Sequence, residues 1–158
     1  MAVSKQRRYA FWRNLPHFQG KSKALFVSLS TYKRWELPAA ARDIAFQTCL
    51  REHKVRIHMY AFVVMPEHVH LLFAPLWDAN GERFGLAEIM SGIKGPSAHA
   101  INKLLKRRGH VWEEEYFDHA LRKSETIEGK MKYIWENPVL AGLVASPADY
   151  PWLWVNEE

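Results

Sequence analysis

Several features are scarce or missing in this chain of 158 residues, and each absence excludes a class of protein. The single cysteine, Cys49, excludes an internal disulfide and predicts a reducing, cytoplasmic environment. No apolar run approaches the roughly 20 residues that a membrane helix needs, so no membrane association is expected. The basic N-terminus lacks the apolar segment of a signal peptide. Without repeats or long linkers, the sequence predicts one domain over residues 1–158, with a basic arm at roughly 1–20.

Positive charge is gathered in a few places along the chain. The formal net charge is +5 and the pI is about 9.4. Basic residues cluster near the N-terminus, at 103–110 and at 122–123, and aromatic residues lie close to the first two clusters. Cations neutralise phosphates and flat rings stack on unpaired bases, so the pattern suits a protein that binds single-stranded nucleic acid. A solvated surface around an aromatic core would give the same composition, so composition alone leaves both interpretations open.

The order of the predicted elements indicates an α+β fold. Strands are predicted at 24–32, at 54–65 and from 68 onwards, and the last two form an antiparallel hairpin around Pro66. Helices are predicted at 38–53, at 86–108 with a break at Gly95–Pro96, and at 125–137, between a capping Ser124 and a terminating Pro138. The segment 110–122 is irregular or a short strand. This order predicts a ferredoxin-like split βαβ arrangement, an antiparallel sheet with helices packed on one face.

Two histidines stand one residue apart in the stretch MPEHVHLLF, residues 65–73. In an extended strand, His68 and His70 point to one side while Val69 points to the other. Two imidazoles on one side could hold a metal ion, or each could be a hydrogen-bonded structural histidine. Two ligands are too few for a closed structural zinc site. A metal here would need a further ligand and an open position for substrate, which is the pattern of a catalytic metal.

The predicted helix at 125–137 carries a tyrosine outside its apolar stripe. At about 100° per residue, one side of the helix is apolar and is expected to face the sheet: Ile127, Met131 and Ile134. Tyr133 lies away from that stripe, on a polar strip with Thr126, Lys130 and Asn137. A core tyrosine would lie on the stripe, so this position favours a chemical role over a packing role, with an ordinary surface tyrosine as the alternative.

The histidine pair and the tyrosine could act in one reaction. A metal ion that withdraws charge from a phosphodiester makes its phosphorus more electrophilic. A tyrosine hydroxyl that attacked this phosphorus would form a covalent phosphotyrosine and release a free hydroxyl. The energy of the phosphodiester bond would be kept in the phosphotyrosine, so a second strand end could reverse the step without ATP.

Motifs along the whole chain resemble the single-tyrosine HUH transposases, and among them the REP-associated tyrosine transposases, which are also called transposase IS200-like proteins. The resemblance is carried, in order, by RRYAFWRNLPHF, MPEHVHLLF, WEEEYFDHALR, YIWENPVLAGLV and YPW. The HVH pair alone is a weak signal, because any strand can contain it. Its combination with a later Y-I-x-x-N-P-V is specific.

The resemblance implies an activity and a role for individual residues. Members of this family cut and rejoin single-stranded DNA with Mg²⁺ or Mn²⁺, form a 5′-phosphotyrosine and recognise a DNA hairpin. Carried over by position, His68 and His70 are metal ligands, Asn137 is the third protein ligand and Tyr133 is the nucleophile. The sister branch commonly carries glutamine at the position of Asn137. Family members act as monomers or homodimers, and the protein is expected in the cytoplasm with the nucleoid.

Basic side chains of the two clusters and of the last helix are expected to contact DNA: Arg7, Arg8, Arg13, Lys103, Lys106, Arg107, Arg108 and Lys130. Tyr116 is a rival nucleophile, but it follows three glutamates whose charge would repel a phosphodiester. We therefore interpret Tyr116 as structural or base-stacking. This acidic stretch departs from the family pattern. Glu67 either orients a histidine or is solvated.

Two other functions stay open at this point. A domesticated relative would bind hairpin DNA without cutting it, although such a protein gains nothing from a metal site. A hydrolytic two-histidine phosphoesterase would use activated water, so its turnover would not depend on Tyr133. That class usually carries a second histidine motif, which this sequence lacks.

Overall fold

A computed structural model describes residues 24–122 and 125–158 of the chain. These residues form five strands and three helices, which are β1 Leu25–Ser30, α1 Ala39–Glu52, β2 Ile57–Val64, β3 His68–Pro75, α2 Leu86–Leu105, β4 Phe117–Ala120, α3 Ile127–Leu140 and β5 Leu153–Val155. Short 3₁₀ turns lie at Tyr32–Arg34 and Pro147–Asp149. None of the described helices is long and apolar enough to cross a membrane.

The five strands form one antiparallel sheet in the order β4-β1-β3-β2-β5. The elements from β1 to β4 have the connectivity of a ferredoxin-like split βαβ unit, so the predicted α+β fold class is confirmed. The last strand, β5, pairs with β2 and was not part of the prediction. The hairpin of β2 and β3 turns at Pro66 as expected, closed by a hydrogen bond of 2.7 Å from Met65 N–H to the His68 carbonyl.

Apolar side chains cover both faces of the sheet. On one face, Val27 and Leu71 pack with residues of α1 and α2 in the larger core cluster. On the other face, Phe26 and Leu72 pack against α3. The expectation of helices on one face therefore holds for α1 and α2, whereas α3 lies on the opposite face. The reason is that the central strands are apolar on both sides, so each face needs a cover.

Two helices continue through a proline that was expected to interrupt or end them. Pro96 lies inside α2 and Pro138 lies inside α3. A proline removes one backbone donor, and the helix persists where tertiary packing outweighs that loss. Pro138 is buried, and the turn after it regains hydrogen bonds, including one of 2.9 Å from Ala141 N–H to the Asn137 carbonyl. As a result Asn137 lies within the helix and not at its end.

The start of α3 is fixed by a side chain. Thr126 is the N-cap residue, and its hydroxyl oxygen accepts a hydrogen bond of 2.9 Å from Gly129 N–H. Such a cap satisfies one of the free N–H groups of the first turn. Ser124, the predicted cap, lies outside the described residues. The apolar stripe of this helix is buried as predicted, with Ile127, Met131 and Ile134 in contact with the sheet cluster.

A partly buried ion pair lies between the end of α1, the start of β2 and α2. Arg56 Nη1 donates a hydrogen bond of 2.8 Å to Glu52 Oε1, and Glu52 is buried. The guanidinium lies against Gly92 of α2, where an added Cβ would clash with Arg56 Nη1 and would lie 3.0 Å from Glu52 Oε1. Gly92 therefore leaves room for the Arg56 guanidinium, which neutralises the nearly buried Glu52 carboxylate.

We expect Gly92→Ala to destabilise the fold by about 1 kcal/mol. The displaced guanidinium leaves Glu52 buried and unpaired, at a cost of about 1–3 kcal/mol, while alanine returns at most about 1 kcal/mol of helix propensity. Urea denaturation measures the change. Ser91→Ala in the same helix is the control, because Ser91 is exposed and its replacement changes mainly the helix propensity. Equal stabilities for the two variants would contradict this role of Gly92.

Candidate active site on the sheet

The histidine pair of β3 points to the face that α3 covers. His70 shares its side of the strand with Leu72, which packs in the α3 cluster, while Val69 packs in the cluster on the other face. His68 lies on the same side as His70, and their ring centroids are 4.5 Å apart. The predicted arrangement of two adjacent imidazoles is therefore present, and His70 is almost completely buried at 9% exposure.

Each imidazole uses its Nδ1 atom for a contact within the protein. His70 Nδ1 lies 2.7 Å from Ser28 Oγ, on the strand beside it. His68 Nδ1 lies 3.1 Å from Glu67 Oε1. These contacts leave the two Nε2 atoms as the nitrogens available to a ligand. A partner on the second nitrogen is the arrangement that orients histidine ligands in metal sites.

Burial keeps both rings neutral. Removal from water lowers the pKa of His70 to about 3, helped by the neighbouring His68 and by the Lys130 cation. Removal from water also lowers the pKa of His68, although the hydrogen bond and charge of Glu67 act in the opposite direction. Neutral imidazole is the form that binds a metal ion. The pair is therefore in its ligand form at neutral pH.

Tyr133 of α3 lies beside this pair. Its ring centroid is 5.8 Å from that of His70 and 6.1 Å from that of Phe26, and the side chain is 41% exposed. Tyr133 is thus on the histidine face of the sheet and open to solvent. Tyr116 packs instead against the cluster on the opposite face, and Lys94 of α2 lies 5.7 Å from its ring centroid. The two tyrosines are separated by the sheet.

Lys130 lies one helical turn before Tyr133. Its Nζ is 5.4 Å from the centroid of the Tyr133 ring and 4.6 Å from that of Phe26. Glu125 holds this ammonium with a contact of 3.3 Å from Lys130 Nζ to Glu125 Oε2, and the same oxygen lies 3.4 Å from His119 Nε2. A cation is therefore placed next to the phenol and paired with the Glu125 carboxylate.

Asn137 follows Tyr133 by one turn of α3 and shares its side of the helix. Its Oδ1 atom is buried and has no hydrogen-bond partner among the described residues. A buried amide oxygen without a partner costs free energy, so it needs an explanation. A metal ion held with the two histidines would supply one, because an amide oxygen is a ligand that Mg²⁺ and Mn²⁺ accept.

The residues expected to contact DNA fall into three groups. Lys130 lies at the site, as described above. Three are exposed at or just after the end of α2: Lys103, Lys106 and Arg108. Arg107 instead stacks on the Trp35 ring, with Cζ 3.9 Å from the ring centroid, and donates to Asn102 Oδ1 at 2.8 Å. The remaining three, Arg7, Arg8 and Arg13, lie outside the described residues.

Ser28 and Glu125 were not identified from the sequence. Ser28 comes from a strand distant in sequence, and only the register of β1 against β3 places it opposite His70. Nothing local in the sequence specifies that register. The only local indication was that Ser28 lies two residues after Phe26. Side chains two apart in a strand share a face, so Ser28 and Phe26 both point toward α3.

The sequence profile of the family described as transposase IS200-like matches residues 28–137, which is more than half of the chain. The chain belongs to this family. The matched segment includes both histidines, Tyr133 and Asn137. The resemblance seen in the motifs is thereby confirmed at the level of the family.

Two curated relatives of the chain are described as REP-associated tyrosine transposases, one of them as putative. A REP-associated tyrosine transposase of Escherichia coli strain K12 is 30% identical over 91 residues, which are 58% of this chain and 50% of the relative. A Haemophilus influenzae protein is 24% identical over 111 residues, 67% of this chain and 61% of the relative. The chain therefore spans about half to three fifths of the length of the curated relatives that it matches.

A solved structure described as a REP-associated tyrosine transposase bound to a REP hairpin is similar in fold. The TM-score is 0.66 at 21% sequence identity, and the match covers 89% of this chain and 81% of the other. The likeness extends the fold assignment to most of the chain.

His70 should make stability depend on pH. The unfolded state takes up a proton below pH 6.5, whereas the folded state resists it down to about pH 3, so folding loses stability as the pH falls through this window. The loss is about 1.4 kcal/mol per pH unit. We expect His70→Asn to remove most of this slope in urea unfolding at pH 6, 5 and 4 with EDTA. The control variant His99→Asn, on the exposed side of α2, should keep the pH dependence of stability. Equal slopes in the two variants would contradict the attribution of this dependence to His70.

Proposed function

We propose that this chain is a metal-dependent endonuclease and strand transferase that acts on single-stranded DNA beside a hairpin and passes through a 5′-phosphotyrosine. The observation that carries the proposal is the placement of the Tyr133 phenol beside the buried His68–His70 pair, with ring centroids of Tyr133 and His70 5.8 Å apart. Membership of the transposase IS200-like family supports it. The hairpin substrate is taken from the description of the similar structure.

The donor set suits a divalent cation, Mg²⁺ or Mn²⁺. His68 Nε2, His70 Nε2 and Asn137 Oδ1 would hold it, because each imidazole already uses Nδ1 within the protein and Asn137 Oδ1 has no hydrogen-bond partner among the described residues. The bound ion supplies charge withdrawal from the phosphodiester oxygens. Ser28 and Glu67 keep the two rings oriented by their contacts with Nδ1.

Tyr133 acts as the nucleophile. Its phenolic oxygen forms a bond to phosphorus, the bond from phosphorus to the 3′ oxygen breaks, and that oxygen leaves as a hydroxyl after taking a proton. The proton of the phenol goes to solvent, to which this side chain is open. Lys130, beside the phenol, contributes positive charge where the phosphate oxygens accumulate negative charge. Attack by a second 3′ hydroxyl reverses these steps and rejoins DNA.

Substrate binding depends on cations away from the reacting atoms. Lys103, Lys106 and Arg108 are exposed and available to backbone phosphates. Arg107 supports their turn through its stack on Trp35. The basic arm with Arg7, Arg8 and Arg13 would add phosphate contacts of its own.

Replacing the nucleophile tests the proposal directly. With a labelled hairpin oligonucleotide that carries a single-stranded flank and with Mn²⁺, we expect the wild-type protein to form a covalent adduct that survives denaturing electrophoresis. Tyr133→Phe should form none, because the ring is kept and only the attacking oxygen is lost.

Tyr116→Phe is the matched control, since that tyrosine lies on the other side of the sheet. It should form the adduct at a rate near that of the wild type. An adduct that persisted in Tyr133→Phe would refute the nucleophile. Hairpin binding without any adduct in the wild type would favour a binding protein, and turnover insensitive to Tyr133→Phe would favour a hydrolytic phosphoesterase.

Ser28 should set the metal affinity. Loss of a side chain that orients a histidine ligand typically weakens metal binding by about 10- to 100-fold. We expect this loss of Mn²⁺ affinity in Ser28→Ala, measured by electron paramagnetic resonance without DNA. Ser30→Ala is the control. Ser30 lies on β1 like Ser28 and is paired with His68 of β3, but no hydrogen bond joins the side chains of Ser30 and His68 among the described contacts. Unchanged affinity in Ser28→Ala would argue against the orienting role.

A further inference from the structure

The backbone directly after β1 adopts an unfavourable conformation at two consecutive basic residues. Lys33 has φ 52° and Arg34 has φ 57°, both in the left-handed region. Residues with a side chain avoid this region, because Cβ crowds the carbonyl oxygen. Within the described ranges, every non-glycine residue with positive φ is basic: Lys33, Arg34, Lys54 and Lys106. Lys106 is the C-cap of α2, where the left-handed conformation is common, and Lys54 is paired with Glu158. Lys33 and Arg34 are instead consecutive and both exposed, and backbone strain of this kind points to a function.

Contacts from a distant segment hold this turn in place. Glu113 Oε1 accepts a hydrogen bond of 2.7 Å from Lys33 N–H, and the Val111 carbonyl accepts one of 2.8 Å from Tyr32 N–H. The Thr31 carbonyl accepts one of 3.1 Å from Arg34 N–H. The carboxylate of Glu113 is thus occupied by backbone, and both basic side chains remain exposed.

A second basic turn packs against the first. Lys106 ends α2 in the left-handed conformation, and the Arg107 guanidinium stacks on Trp35 at 3.9 Å from the ring centroid. The rings of Tyr32 and His110 are 5.1 Å apart. The two turns, residues 32–35 and 106–110, therefore form one surface, and we call it the two-turn surface. Its exposed cations are Lys33, Arg34, Lys106 and Arg108.

The two-turn surface lies at the end of the sheet where His68 is found. Ser30, the last residue of β1, pairs with His68, and Thr31 N–H donates to the Glu67 carbonyl at 2.9 Å. Arg34 is close enough for its charge to act on the His68 imidazole. The first turn is therefore the part of this surface nearest to the candidate active site.

We propose that the two-turn surface binds consecutive phosphates of the DNA strand that enters the His68–His70 site, with Lys33 and Arg34 supplying the contacts nearest to the site. The inference rests on the proposed function and adds the path of the strand. Backbone phosphates attract closely spaced cations, and contacts of this kind set the register of a strand without reading its sequence. Lys33 and Arg34 are adjacent and both exposed, so one strand can contact both.

Asparagine substitution separates binding from folding. Asparagine tolerates the left-handed region better than lysine or arginine, so Lys33→Asn/Arg34→Asn should keep or raise the stability in urea denaturation. The same variant should bind a single-stranded oligonucleotide more weakly, measured by fluorescence anisotropy in EDTA. The slope of log affinity against log salt should fall by about 1.4, because each phosphate contact of a single strand contributes about 0.7.

Lys54→Asn is the matched control. Lys54 also has positive φ and is exposed, but it is paired with Glu158 at 3.1 Å and follows α1 at the end of the sheet distant from His68. Its slope should equal that of the wild type. An unchanged slope in the double variant, with normal adduct formation, would overturn the proposal that the two-turn surface binds DNA and would leave the catalytic proposal intact. A reduced slope in the double variant, together with a wild type that forms no adduct, would support the two-turn surface and overturn the catalytic proposal.

Glu113 gives a second, independent test. Glu113→Gln and Glu113→Ala both remove a negative charge, but only glutamine retains an oxygen that can accept from Lys33 N–H. If the turn has to be held, the alanine variant binds the oligonucleotide more weakly than the glutamine variant at equal salt. Equal binding by the two variants would contradict the role of Glu113 in holding the turn.

Discussion

The packing of α3 on the sheet is the constraint on which the candidate site depends. Ile127, Met131 and Ile134 are buried against the same face that carries the histidines. Because residues of a helix are fixed in angle relative to one another, burying this stripe also fixes where Tyr133 and Lys130 lie. No separate interaction is needed to bring the phenol to the imidazoles. The helix is positioned by apolar burial, and the chemistry follows from residues at the margin of the buried stripe.

The same packing makes the site costly to keep. His70 is buried, and Asn137 Oδ1 is buried without a hydrogen-bond partner among the residues that the structure describes. Apolar residues at both positions would stabilise the fold, since buried polar groups lose their hydration. Sequences give up such stability where function requires it. The cost is reduced at His70 by Ser28, which satisfies one ring nitrogen and leaves the other for a ligand.

Local patterns in the sequence were sufficient for the elements and for part of the site. The alternation around His68 and His70 and the stripe of the last helix specify which way those side chains point, and both predictions agree with the structure. The face on which α3 lies, the partner of His70 and the strand β5 depend on pairings between distant segments. Strand register is set by the whole sheet and not by local sequence, so Ser28 could not be paired with His70 in advance.

The acidic stretch WEEEYF shows how a local interpretation changes once the partners are known. From the sequence alone, the charge of the three glutamates before Tyr116 is expected to repel a phosphodiester. In the structure Glu113 Oε1 accepts a hydrogen bond from the Lys33 backbone N–H, so this carboxylate holds the conformation of a basic turn. Glu125 is used in a similar way, because it holds the Lys130 ammonium beside Tyr133. Glu113 thus holds the backbone of a basic turn and Glu125 holds an ammonium, so both acidic residues are compatible with a polyanionic substrate.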